Sequence, residues 1–272
     1  MAPRIIVGAI MFWNRRQELA ALGRLDGSGG LAVVWGRRRI GKTRLLLEWC
    51  ERAGGVYTVA DQSAPHLQRA YFARAISQAL PGFADVTYPD WERLLSRLAG
   101  DATAVQFTGP IVIDELPYLV AGSPELPSIL QRWIDHEARR AKLRVALAGS
   151  SQRMMQGLVL SHEAPLYGRA RITLDLAALS PEHLREAFGR LAPAAVVEHW
   201  AAFGGIPRYW ELAAARWGRC SRSPIGSSSR RAHPPSNSAP CSMRSVRGPI
   251  ACRRSPVGSA VLPPRWATHS IG

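Results

Sequence analysis

The feature that most constrains this chain is an eight-residue turn, Gly36-Arg37-Arg38-Arg39-Ile40-Gly41-Lys42-Thr43, set directly after the apolar run Leu31–Trp35. It fits the pattern G-x-x-x-x-G-K-[ST] in full. Two glycines allow the backbone to wrap closely around an anion, so that successive N–H groups point inward. A helix starting at the lysine turns its positive end toward the same space. In such a loop the Lys42 ammonium reaches the β- and γ-phosphates of a nucleotide, the Thr43 hydroxyl ligates Mg²⁺, and Arg44 follows in the first helical turn. The alternative is a chance match in a chain rich in Gly and Arg. Lysine occurs only at positions 42 and 142, which makes chance a poor explanation.

The surroundings support this reading. Arg15–Leu25 is amphipathic, with Leu19, Leu22 and Leu25 on one face, and Asp26–Gly30 breaks it. Short apolar runs at 31–35, 56–60, 110–113 and 143–148 read as buried strands, with a fifth at 171–176. Helical patterns at 42–52, 65–80, 91–98 and 126–141 alternate with them. Continuous apolar strands alternating with helices predict an α/β three-layer sandwich built on a parallel sheet. From Ser180 to Trp217 the pattern is helical only, which predicts the start of a small helical lid. The expected organisation is a core over 12–178, a partial lid over 179–217 and a tail over 218–272.

Three further segments carry chemistry. Pro110-Ile111-Val112-Ile113 leads into Asp114 and Glu115, at the edge of a parallel sheet where ligands bind. Asp114 is expected to hold the Mg²⁺ shell through water, and Glu115 to orient and polarise the attacking water. The alternative is a strand followed by a solvated acidic turn. The next strand ends in Gly149-Ser150-Ser151. Ser150, ahead of Ser151, is a candidate to bond the γ-phosphate or the lytic water, and a serine capping a helix is the alternative. Arg169 is a candidate arginine finger, although arginine is abundant here. His162 and Glu163 read as surface residues.

Composition adds limits. Of 272 residues, 47% are hydrophobic, enough to bury a sizeable core, and no apolar run reaches the roughly 18 residues of a membrane span. The apolar start Met1–Met11 lacks a cleavage signal and reads as a lead-in to the domain, so a cytoplasmic location is expected. The net charge of +15 is uneven: residues 219–272 hold nine Arg and no Lys, Asp or Glu, leaving 26 basic against 20 acidic groups before them. The core is therefore only mildly basic, and nucleic acid is weakly supported as a partner. Cys50 stands alone in the core, and the spacings of Cys220, Cys241 and Cys252 match no zinc pattern. The tail, rich in Ser, Pro, Arg and Gly, reads either as a disordered basic segment or as out-of-frame translation of GC-rich DNA. The second fits the abrupt change in composition better, and no fold is expected there.

With these motifs in place, the chain resembles the archaeal-type ATPase family, within the AAA+ and STAND-like P-loop ATPases, over roughly residues 12–217. Phe12-Trp13-Asn14-Arg15-Arg16-Gln17-Glu18-Leu19 is similar to the segment that precedes the loop in that family and packs near adenine. Arg15 and Glu18 take its Arg and Glu positions. Gly149-Ser150-Ser151 resembles its sensor segment. Gly204-Gly205-Ile206-Pro207-Arg208-Tyr209-Trp210 resembles its lid motif, in which Pro207 would pack against the base. Members usually continue into a winged-helix region, which the tail replaces here.

The resemblance and the motifs together imply an ATP-binding protein with Mg²⁺-dependent hydrolysis, slow without a partner and of a regulatory or switch type. A scaffold with little hydrolysis and a nucleic-acid-associated ATPase are the alternatives. No Asn-Lys-x-Asp guanine signature occurs, which favours ATP. Neither the protein partner nor the oligomeric state is legible.

Overall fold

The structure, a computed structural model, describes residues 15–220 apart from 26, 185–187 and 189–191. Its centre is a five-stranded sheet in which every pairing is parallel. The strands are β1 (Gly30–Trp35), β2 (Val56–Val59), β3 (Pro110–Asp114), β4 (Arg144–Gly149) and β5 (Ala170–Asp175), in the order β2-β3-β4-β1-β5. This is the α/β architecture expected from the alternation of apolar runs and helices.

Side chains alternate across a strand, so each strand feeds two cores. Leu31, Val33, Ile111, Ile113, Val145 and Leu147 face one core, while Ala32, Val34, Val112, Ala146 and Ala148 face the other. Helix α1 (Arg16–Gly23) and helix α2 (Lys42–Ala53) contribute Leu22, Leu45, Leu46 and Trp49 to the second core.

Helices α3 (Pro65–Ile76), α4 (Trp91–Ala104), α5 (Leu116–Gly122) and α6 (Leu126–Trp133) cover the other face. Trp91, 1% exposed, anchors that layer: its indole N–H donates to Ser123 Oγ at 3.1 Å and its ring meets Phe72 edge to face at 5.7 Å. Burial of this size is worth about 3 kcal/mol. A π-helical turn, Ile134–Ala138, replaces the last turn expected of α6. A short helix α7 (Gln152–Met155) follows β4. Helix α5 had no signal in the sequence, because it begins at the acidic strand end.

Past β5, a 3₁₀ turn at Pro181–His183 precedes α8 (Pro193–Phe203) and α9 (Pro207–Cys220). They enclose a small core of Leu179, Leu184 and Trp210, with Trp200 and Phe203 packed against it. At Gly205 an added Cβ would collide with the Leu179 carbonyl, and the Gly205 carbonyl accepts from Leu179 N–H at 2.9 Å. Only glycine permits that approach. All described residues fall in one compact unit. The tail over 221–272 and the segment Phe12-Trp13-Asn14 lie outside the described residues, so the reading of a disordered or out-of-frame tail is not addressed by the structure.

Candidate functional site

The site grows from the C-terminal ends of β1, β3 and β4. Trp35 lies opposite Gly149, and Ile113 lies opposite Leu147, so the loop at 36–43, Asp114 and Ser150 emerge at one sheet edge. Gly36 opens the loop at φ 145°, and a Cβ there would come 2.8 Å from the Leu176 carbonyl. Ile40 turns inward to the core, while Arg37, Arg38 and Arg39 are exposed.

Lys42 is the first residue of α2 and is 5% exposed. Its ammonium folds back into the loop and donates to the carbonyls of Gly36 (2.8 Å) and Arg37 (3.3 Å). Burial lowers its pKa, and Asp114 and Glu115 oppose that shift. A buried cation held by two carbonyls alone fits an anionic occupant of the loop.

Asp114 ends β3 and is 1% exposed. Its Oδ2 accepts from the Thr43 hydroxyl (3.0 Å) and the Tyr57 hydroxyl (2.7 Å), and its Oδ1 accepts from the Glu115 N–H (2.9 Å). A hydroxyl and a carboxylate so placed suit Mg²⁺, which keeps several waters and shares its shell with phosphate oxygens. Among the described residues no group of three or more His, Cys, Asp or Glu side chains could hold a metal by itself.

Glu115 lies in the left-handed region, φ 56°. That backbone, costing about 1 kcal/mol for a non-glycine residue, bends the chain just where the strand ends. Both acids thereby reach the same edge, although adjacent strand residues point to opposite faces. The Glu115 carboxylate meets the Ser150 hydroxyl through Oε1 and accepts the Ser150 N–H through Oε2 at 3.3 Å. Ser151 instead accepts from the Met154 N–H at 3.4 Å and caps α7.

Tyr57 was not anticipated from the sequence. Burial and then the Asp114 charge push its phenol up, so it remains a donor at neutral pH. Nothing in Val56-Tyr57-Thr58-Val59 announces the contact, because β2 must first pair with β3.

Two expected nucleotide residues take other positions. Arg15 is 6% exposed, and its guanidinium donates to Glu18 (2.7 Å), the Ile40 carbonyl (3.1 Å) and the Ala177 carbonyl (2.7 Å). It braces the loop against the chain leaving β5. Arg44 reaches Glu48 at 3.5 Å along α2 rather than the loop. Pro207, at the start of α9, does stand by the loop: a Cβ on Gly41 would be 3.7 Å from its Cγ. The Arg39 guanidinium lies 6.0 Å from the Tyr209 ring.

Arg169 lies away from the loop. It precedes the first residue of β5, at the opposite sheet edge from the loop. Its guanidinium is held by Asp135 (2.8–3.0 Å) and by the carbonyls of Pro165 and Tyr167. Those donors are committed, so it cannot serve the phosphate loop of its own chain.

A glycine-rich loop between a buried parallel strand and a helix, beside an acidic strand end, defines the class: a P-loop nucleotide-binding fold of the ATPase type. Comparison with known proteins is more particular. The chain belongs to the family of ATPase domains predominantly from Archaea, whose model matches residues 12–212. It is 34% identical over 203 residues to the uncharacterized protein MJECL04 of Methanocaldococcus jannaschii, covering 74% of this chain and 44% of that protein. The chain thus spans less than half the length of this relative. A shorter match, 41% over 46 residues, is to the uncharacterized ATP-binding protein MJ0423 of the same organism, covering 16% of this chain and 78% of that protein. Among solved structures, the Walker-type ATPase PABY2304 of Pyrococcus abyssi is similar at a TM-score of 0.63 and 18% identity, over 77% of this chain and 69% of that one. The ORC2 protein of Aeropyrum pernix, solved as ADPNP–ADP complexes, is similar at 0.53 and 17% identity, over 76% and 64%. No described helix is long and apolar enough to cross a membrane.

Proposed function

We propose that this domain binds Mg-ATP at the loop 36–43 and hydrolyses it slowly, as a switch whose state a partner protein reads. The observation that carries this is the 3.0 Å contact between the Thr43 hydroxyl and Asp114, formed across 71 residues at the edge where Lys42 also lies. The loop N–H groups and Lys42 would hold the β- and γ-phosphates. Thr43 would turn a lone pair to the metal while its proton stays on Asp114. The metal, when bound, neutralises charge on the phosphate oxygens. Glu115 would orient a water that attacks the γ-phosphorus. As the P–O bond to water forms, the bond to the bridging oxygen breaks, ADP leaves, and the proton shed by the water would pass by way of Glu115 to the released phosphate. Ser150 would sense the γ-phosphate through the Glu115 carboxylate it already contacts. Pro207 would close over the base. The ATP-binding relative and the nucleotide-bound ORC2 neighbour support the ligand chosen here.

A second reading, a nucleotide switch with little hydrolysis, draws on the Ser150 contacts, which engage both oxygens of Glu115. One experiment separates the two. Mg-ATP binding and phosphate release are measured on the full chain, with Lys42→Ala and Glu115→Gln beside it. Saturable binding lost in Lys42→Ala, with slow release lost in Glu115→Gln while bound ATP persists, is the expected result. Binding without release in any form would leave the switch alone, and a folded chain that binds no nucleotide would end both readings.

A further inference from the structure

We infer that Tyr57 is a positioning residue that sets how Asp114 receives the metal, and with it the preference of the site for Mg²⁺. The inference rests on the reading above that Thr43 and Asp114 hold the metal with nucleotide.

The geometry is one of occupied lone pairs. An ionised carboxylate offers about four acceptor positions. In Asp114 three are filled by the protein: Thr43 Oγ1 at 3.0 Å and Tyr57 Oη at 2.7 Å on Oδ2, and the Glu115 N–H at 2.9 Å on Oδ1. One position remains, on Oδ1. That single acceptor can take one hydrogen from a metal-bound water, but both oxygens cannot turn to an ion at once. Asp114 is thereby kept from chelating, and the metal must keep its water. This suits Mg²⁺, which dehydrates reluctantly and wants octahedral geometry at short distance. It disfavours Ca²⁺, a larger ion that readily takes two carboxylate oxygens.

Tyr57 is the one donor of the three that plays no other part at the site. The Glu115 N–H is fixed by the backbone, and Thr43 is a candidate metal ligand. Tyr57 comes from β2, where it lies opposite Val112, and its ring packs with the core beneath α2 while the hydroxyl reaches the strand end. The ring's packing makes the donor rigid. A rigid neutral donor on Oδ2 fixes rotation of the carboxylate about its Cβ–Cγ bond, and so fixes the direction of the free Oδ1 position. Outer-shell partners of this kind commonly carry ten-fold or more of metal affinity.

The test uses the full chain and a fluorescent ADP analogue, so that it reads binding and not turnover. Metal is titrated, Mg²⁺ and Ca²⁺ in separate series, into protein with the analogue, and analogue affinity is also measured in excess EDTA. For Tyr57→Phe the expected result is a rise of about ten-fold in half-saturating Mg²⁺, little change for Ca²⁺, and EDTA affinity within about two-fold of the parent. Tyr57→Met, which also cannot donate, should behave alike if Tyr57→Phe does not fold, and Tyr57→Gln, whose amide can donate, should restore part of the Mg²⁺ preference. Equal weakening with Mg²⁺, Ca²⁺ and EDTA, or no change in any series, would overturn the inference. Asp114→Asn is the control for the reading beneath it. If parent affinity shows no Mg²⁺ dependence, or Asp114→Asn leaves it intact, the metal site itself is wrong. If that control behaves and the Tyr57 variants match the parent, only the role of Tyr57 falls.

Discussion

Ser150 holds Glu115 by both carboxylate oxygens, its hydroxyl on Oε1 and its N–H on Oε2 at 3.3 Å. The two residues lie 35 positions apart, at the ends of β3 and β4. The proposed water-activating group is thus fixed by the strand end beside it. A carboxylate held in this way loses little orientational freedom when water binds. Ser150→Ala is therefore expected to leave Mg-ATP affinity unchanged and to lower phosphate release about ten-fold, about 1.4 kcal/mol in the barrier. Single-turnover phosphate release measures it. A faster release would mean that Ser150 restrains Glu115 instead of orienting it.

Lys42 carries a second prediction, in stability. Burial depresses its pKa below the ordinary lysine value, so the unfolded chain binds the proton more tightly. In the alkaline window between the depressed folded value and 10.5, the unfolded state holds more protons, and stability rises with pH through that window. At neutral pH the charged, buried lysine opposes folding of the nucleotide-free chain. Lys42→Met should raise its stability by about 1 kcal/mol and abolish the further stabilisation by Mg-ATP. Thermal unfolding with and without nucleotide reads both effects. A fall in nucleotide-free stability would contradict the sign.

Arg15 ties the loop at Ile40 to the chain beyond β5 at Ala177. Arg15→Ala should cost about 2 kcal/mol, since the buried Ile40 carbonyl and the part-buried Ala177 carbonyl lose a charged donor. It should also weaken nucleotide binding without touching it. Arg15→Lys is expected to recover only part of the loss: Nη2 alone serves both carbonyls, which one ammonium can also bridge, but an ammonium cannot at the same time hold Glu18 as Nη1 does. Denaturant melts, paired with nucleotide titrations, test this.

Arg169 yields the opposite pattern. Its bond to Asp135 lies at the far sheet edge, so Arg169→Ala should leave the single-site hydrolysis rate within about two-fold of the parent while lowering stability by about 1 kcal/mol. Measured at dilutions where the chain is monomeric, a rate loss of ten-fold or more would restore the arginine-finger expectation.

The local signals were legible because each is a short-range constraint. Gly36 to Thr43 encode a loop whose backbone shape and lysine are fixed by spacing alone. The alternating faces of Leu31–Val34 and Ile111–Ile113 encode buried parallel strands, and Asp114 with Glu115 mark a strand end. Element edges moved where tertiary packing overrode pattern: α6 gave way to a π-helical turn at Ile134, and β2 stopped at Val59.

What the sequence by itself determined was the presence of a phosphate loop, its Lys42, and a sheet with acids at one edge. A strand end pointed to Ser150, and the family resemblance added Arg15 and Pro207 as positions of interest. Only the tertiary structure decided which partners those residues keep. Tyr57 meets Asp114 because β2 pairs with β3, and Arg15 meets Ala177 across 162 positions because the chain returns past β5. Arg169 is turned away because it directly precedes a strand whose far end faces the site. A side chain's type and spacing can be read along the chain, but its hydrogen-bond partners depend on strand order and register, and these are set by the joint burial of both sheet faces.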